Sequence, residues 1–206
     1  LAEKGGGSGF AGFSASPRAG RESAGERAMK DLEHLTKDEI VELLNRSWMT
    51  HDGMWFYHCF RECGIETANR INKAAIRSLA PMEIERMKKV LDVPWDRPET
   101  FDAFRGFFTA AAALCVPAFM NVTMDLSREN VLHWEFEPGN CFAYKGIRRI
   151  GAIEKYECGV IHRLASWFDA LDLRYRITPE VTACRMASGG ACAGDFVFDF
   201  GDAVSK

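Results

Sequence analysis

MNVTMDLSRENVLHWEF, residues 120–136, is the stretch that decides the fold. Met120, Val122, Met124 and Leu126 alternate with Asn121, Thr123 and Asp125. Successive side chains of an extended chain point to opposite faces, so this run predicts a strand with one apolar face. After the polar turn SREN, Leu132, Trp134 and Phe136 alternate with His133 and Glu135 in the same way. Two such runs predict an antiparallel hairpin buried on one side.

Everything before this hairpin has helical spacing. Thr36 and Glu39 form a capping-box pattern that opens a helix over residues 37–47, with Ile40, Leu43 and Leu44 on one face. A second helix is expected over residues 50–62, closed by Gly64. A third runs from Glu66 to Leu79, and Pro81 suits the first turn of a fourth reaching Leu91. The segment VPWDRP reads as a loop. A fifth helix follows, with Phe101, Phe104, Phe108, Ala111 and Leu114 in register.

After the hairpin, residues 155–171 predict another helix, and Leu173, Tyr175 and Ile177 a strand. Residues 181–186 and 195–200 are expected to pair as a last hairpin across ASGGACAG. Helices first, then strands interrupted by one helix, make an α+β domain: an N-terminal helical layer on an antiparallel sheet. This domain is expected over residues 29–206. Residues 1–28, rich in Gly and Ser, read as a disordered arm of read-through sequence outside the fold.

Composition narrows the function classes. A net charge of −3 with scattered basic residues gives no footprint for nucleic acid. The longest apolar run, residues 106–120, is too short for a bilayer and is broken by Pro117. No Gly-rich phosphate loop, G-x-S-x-G or H-E-x-x-H occurs, which argues against a nucleotide enzyme, serine hydrolase or zincin. Seven cysteines and no secretory signal at the start favour reduced thiols in the cytoplasm.

Four of those cysteines, Cys141, Cys158, Cys184 and Cys192, are separated by 16, 25 and 7 residues and fall on four separate elements. They can converge on a zinc ion, which prefers thiolate in closed structural sites. A disulfide and an unliganded core of thiols are the competing explanations. His162, one turn beyond Cys158, is a substitute for Cys141 as a ligand.

The tail, with Cys158-Gly-Val, the strand Leu173-Arg-Tyr-Arg-Ile and Cys184-x7-Cys192 running into Asp-Phe-Val-Phe, resembles small-molecule-binding domains of the 4-vinyl reductase type. Sensory members of that group hold zinc through three cysteines and an acidic residue. The resemblance implies Cys158, Cys184 and Cys192 as ligands, with Val181 at the acidic position, Glu180 beside it and Cys141 a substitute donor. From about residue 36 the chain is also similar to an uncharacterised group of prokaryotic cytosolic proteins with an Asp-Gly-x-Trp-Phe helix, here Asp52 to Phe56. These groups resemble aminothiazoline-carboxylate hydrolases, which implies a hydrolase acting on a small cyclic substrate as the alternative function.

The expected function is binding of a small apolar or aromatic molecule, as a sensor or carrier, with a structural zinc site. Trp48, Trp55, Phe56 and Trp134 would form the walls, and His51, Asp52 and Asn72 the polar contacts. Asp52 as a helix cap with His51 solvated outside it is the plainer reading of that pair. Interhelical bonding is the plainer reading of Asn69 and Asn72. Expected partners are the small molecule and, in assembly, a second copy of the chain, with neither nucleic acid nor membrane.

Overall fold

The computed structural model describes residues 29–201, so the expected arm over residues 1–28 lies outside the described residues. The chain divides into a short unit, residues 1–35, and a large one, residues 36–206. Among the described residues of the short unit, a 3-10 turn, Leu32–His34, is capped by Asp31, whose carboxylate accepts from His34 N.

In the large unit the helical layer comprises α1 (Lys37–Cys63), α2 (Ile65–Val90) and α3 (Phe101–Cys115). Thr36 opens α1: its hydroxyl accepts from Glu39 N at 3.1 Å, and its own N–H donates to Glu39 Oε2 at 2.8 Å. The two helices expected over residues 37–62 are one, because nothing between them is a stronger breaker than Gly53, which a helix interior tolerates for about 1 kcal/mol. Asp52 consequently sits mid-helix and caps nothing. Gly64, at φ +79°, ends α1 and immediately opens α2. Pro81 likewise lies inside α2 instead of opening a new helix. It forfeits the bond to Arg77 O, and α2 continues because it packs on both neighbours, α1 and α5.

Four antiparallel strands follow in the order β1-β2-β4-β3: β1 (Val122–Asp125), β2 (Val131–Phe136), β3 (Arg174–Thr178) and β4 (Cys192–Asp199). The hairpin read from residues 120–136 is the β1–β2 pair. The expected last hairpin does not form. Residues 185–189 are a short helix, α6, and β4 pairs with β2 on one side and β3 on the other. Two further helices, α4 (Phe142–Arg149) and α5 (Gly159–Ala170), lie between β2 and β3. No sequence signal marked α4, whose eight residues include Gly146.

The main core lies between α3, α5 and one face of the sheet. Phe101, Phe104, Phe107, Phe108 and Ala111 of α3 are buried, while Leu114, expected beside them, remains 38% exposed. Against them stand Leu132, Trp134 and Phe136 of β2 and Phe196 and Phe198 of β4. Trp134 fits because its cross-strand neighbour is Gly194: a Cβ there would lie 2.5 Å from the indole and 2.7 Å from Thr178 O. Gly194→Ala should therefore cost about 1–3 kcal/mol in chemical denaturation. That cost should shrink in a Trp134→Phe background, and equal costs in both would show that the indole is not the obstacle.

Candidate functional site: a cavity beside four thiols

A smaller core sets up the site. Phe56 of α1 and Ala68 of α2 pack with Tyr156, whose ring meets Phe56 edge-on at 5.7 Å. The Tyr156 hydroxyl accepts from Gly159 N at 3.0 Å and so stands at the first turn of α5. Between α1, α2, α4 and α5 a cavity of about 330 Å³ opens, walled by Met49, Ile76, Met120, Met124, Phe136, Ile147, Leu164 and other apolar side chains.

Of the residues expected to contact a ligand, Trp48, Asp52, Phe56 and Asn72 line this cavity. His51, Trp55 and Trp134 do not. Trp48, Asp52 and Phe56 are spaced four apart and share one stripe of α1, whereas His51 and Trp55 share the next. Trp55 is 68% exposed, and His51 is exposed with its ring edge toward Trp55. Trp134 is fully buried in the sheet core. The Asn72 side chain makes no hydrogen bond among the described residues, and its amide lies where a Cβ on Gly159 would come within 2.7 Å. Asn69 instead holds the loop ahead of α5: its amide donates to Lys155 O at 2.8 Å, and its carbonyl accepts from Glu157 N at 3.3 Å.

Sequence reasoning missed the most strongly organised polar group of the cavity. Arg163 of α5 lies over the Trp48 ring, 4.2 Å from its centroid, and pairs with Glu83 of α2. Trp167, one turn on, donates its indole N–H to the other Glu83 oxygen at 2.9 Å. Burial pulls the Arg163 pKa down, and the Glu83 charge opposes that most strongly. The available signal was the Arg-x3-Trp spacing on α5, which puts both groups on one face. Glu83→Gln leaves this cation without its counter-ion and should destabilise the protein by about 2–3 kcal/mol, below the cost of a fully buried pair because both partners keep some solvent. Glu83→Gln with Arg163→Met should recover most of that loss in thermal denaturation, and equal destabilisation of both variants would refute it.

Beside the cavity are the four thiols. Cys141, Cys158 and Cys184 stand at the N-caps of α4, α5 and α6, and Cys192 begins β4 opposite Phe136. Cys158 and Cys184 differ from the expected placements, inside a helix and on a strand. The segments carrying them meet through a bridge between Glu157 and Ala183, and Cys158 N donates to Thr182 O at 3.3 Å. Burial pushes the Cys158 thiol up to about 12, opposed by N–H groups of Ile161 and Val160 and reinforced by the charges of Cys192 and Cys141. Burial also raises Cys141, with the N–H groups of Tyr144 and Ala143 opposing. Cys192 is raised by burial and by the charges of Cys141 and Cys184, while the Trp134 indole and Arg185 pull it down. Cys141 thus stands within electrostatic reach of the other three sulfurs. Among the described residues, no three His, Cys, Asp or Glu side chains stand in an arrangement that would hold a metal ion.

His162 turns away from the thiols toward Arg77, 3.4 Å from its guanidinium, and burial lowers its pKa. Glu180 is exposed, and Val181 is half-buried against the main core. Two buried side-chain nitrogens have no hydrogen-bond partner among the described residues: Trp134 Nε1 and Arg185 Nε. Both belong to residues that lower the Cys192 pKa; the indole lies near the sulfur without reaching hydrogen-bonding geometry.

Among the described residues no helix is long and apolar enough to cross a membrane. No curated protein and no solved structure matches the chain. A family model does, over residues 32–186, which takes in the helical layer, the cavity and three of the four thiols and stops short of Cys192. By that match the chain belongs to the family of unknown function DUF6125.

Proposed function

We propose that this protein is a small-molecule-binding domain, a sensor or carrier in the cytoplasm, that takes an apolar or aromatic molecule into its cavity and is fastened by a structural zinc ion. The cavity carries the reading. A mostly apolar wall with a few placed polar groups is what recognition of such a molecule requires. Its 330 Å³ suits one or two aromatic rings. The amide of Asn72, unbonded among the described residues, offers a ligand both a donor and an acceptor. The tail's resemblance to 4-vinyl reductase-type domains supports the same class of function.

For zinc, the support is the chemistry around the sulfurs. Backbone N–H groups at two helix N-caps, an indole N–H and a guanidinium surround thiols that burial keeps protonated. Donors placed around sulfur suit thiolate, and Trp134 Nε1 and Arg185 Nε, on two residues that favour the Cys192 thiolate, are buried without another partner among the described residues. Cys141, Cys158, Cys184 and Cys192 would hold the ion only by drawing closer together than they stand in the arrangement described above. Four thiolates leave it no open position, so it would supply a cross-link and no catalysis. The hydrolytic alternative fares worse, since burial withholds the thiolate a nucleophile needs.

Elemental analysis of the purified protein should find about one zinc per chain, lost together with thermal stability in Cys184→Ser. Metal-free protein of undiminished stability would dismiss the clamp. For the cavity, indole, p-cresol and naphthalene serve as probes. At least one should raise the melting temperature, by the equivalent of about 2.7 kcal/mol at a hundredfold excess over its dissociation constant. Met49→Trp and Ile147→Trp, which fill the cavity from two sides, should each abolish that rise while circular dichroism stays native. A rise that survives both substitutions would place the probe elsewhere.

A further inference from the structure

Helix α1 spans 27 residues, and Phe56 is its only buried side chain. Beside its cavity-facing stripe runs a second apolar stripe that shares Trp48 with it and is otherwise exposed. Leu44 is 63% exposed, Trp48 36% and Trp55 68%. With His51 between them, these residues follow the alternating four-and-three spacing of a coiled-coil seam. Continued in both directions, the seam runs through Val41 to Lys37 and through His58 to Glu62. Two tryptophans and a leucine aligned along about 17 Å of helix form more than scattered surface apolarity, and such a stripe marks an interaction surface.

The charges on the seam select the occupant. Lys37 and Glu62 stand at its two ends and have no ion-pair partner among the described residues. A second copy of α1 laid antiparallel, with its two-fold axis between Met49 and Thr50, brings Lys37 of each chain against Glu62 of the other. The same operation sets Leu44 against Trp55, Trp48 against His51 and Val41 against His58. Every seam position therefore meets a seam position in one register. A parallel pair would instead oppose Lys37 to Lys37 and Glu62 to Glu62, and would align the two helix dipoles unfavourably. We infer that the outer stripe of α1 is a homodimer interface, an antiparallel two-helix seam closed at each end by a Lys37–Glu62 ion pair between subunits.

Isologous contact of this kind closes on itself and leaves no further copy of the surface free. It is also compatible with an occupied cavity, because His51 and Trp55 lie on the seam and outside the cavity wall. Trp48 borders both, with Arg163 stacked on its ring. The proposal does not depend on what the cavity binds.

Sedimentation equilibrium of the full chain should give twice the chain mass at micromolar concentration. Leu44→Glu with Trp55→Glu should give single-chain mass with unchanged helical circular dichroism, since both side chains are already exposed in the protomer. Lys37→Glu alone turns two attractive pairs into repulsive ones and should weaken dimerisation about tenfold. Lys37→Glu with Glu62→Lys should restore it. Each of these charge changes suits the dipole at its own helix end, so a lost dimer cannot be mistaken for a lost helix. A monomer at every concentration, or a dimer indifferent to the Leu44 and Trp55 substitutions, overturns the interface. A Lys37→Glu defect that Glu62→Lys leaves uncorrected overturns the antiparallel register.

Discussion

The packing of Phe168 is the constraint on which the rest of the structure depends. This fully buried ring on α5 lies 4.8 Å from Phe196, 5.0 Å from Phe198, 5.6 Å from Phe104 and 5.7 Å from Tyr175, centroid to centroid. It thereby locks α5 at once to α3, β4 and β3. Aromatic contacts at these separations add about 0.5–1.5 kcal/mol each beyond the area they bury. Once Phe168 is seated, rotation of α5 is no longer free. Trp167 must face Glu83 on α2, Arg163 must face Trp48 on α1, and Gly159 must come against Asn72. The cavity is the space left where α1 and α2 lie over a helix whose orientation was fixed from its other side.

What was legible in the sequence was what local physics decides. The alternation over residues 120–136 yields β1 and β2 because one face of each is more deeply buried than the other, half-buried in β1 and fully buried in β2. The Thr36–Glu39 box and Gly64 mark the ends of α1 because both act through their own backbone neighbours. Pro81 misled because a proline at a helix start and a proline inside a helix look alike until tertiary packing chooses between them. Residues 181–186 misled for a related reason. An apolar alternation cannot reveal that the partners of β4 are β2, some 60 residues upstream, and β3, once a short helix takes the adjacent segment.

The candidate site was legible only by halves. A helix with two apolar stripes gives no local sign of which one meets its own protein. Trp48, Asp52 and Phe56 border the cavity and His51 and Trp55 face away from it, because the positions that α2 and the cavity claim leave the other stripe over. Arg163 was invisible for a different reason. Its role depends on Glu83, 80 positions away, and a lone arginine on a helix is ordinarily a solvated one.

The cavity and the thiols are physically linked through two helices. Cys141 and Cys158 precede α4 and α5, and those two helices supply Phe142, Ala143, Ile147, Val160 and Leu164 to the cavity wall. Anything that orders the N-caps therefore orders the wall. The loop between α4 and α5 is held in part by Asn69, a buried amide that spends its carbonyl and one N–H on residues 155–157. α2 thus holds the approach to Cys158 from one side, and Phe168 holds the far end of α5 from the other. Held between these two anchors, the first turn of α5 keeps Cys158 at its N-cap and Gly159 against Asn72.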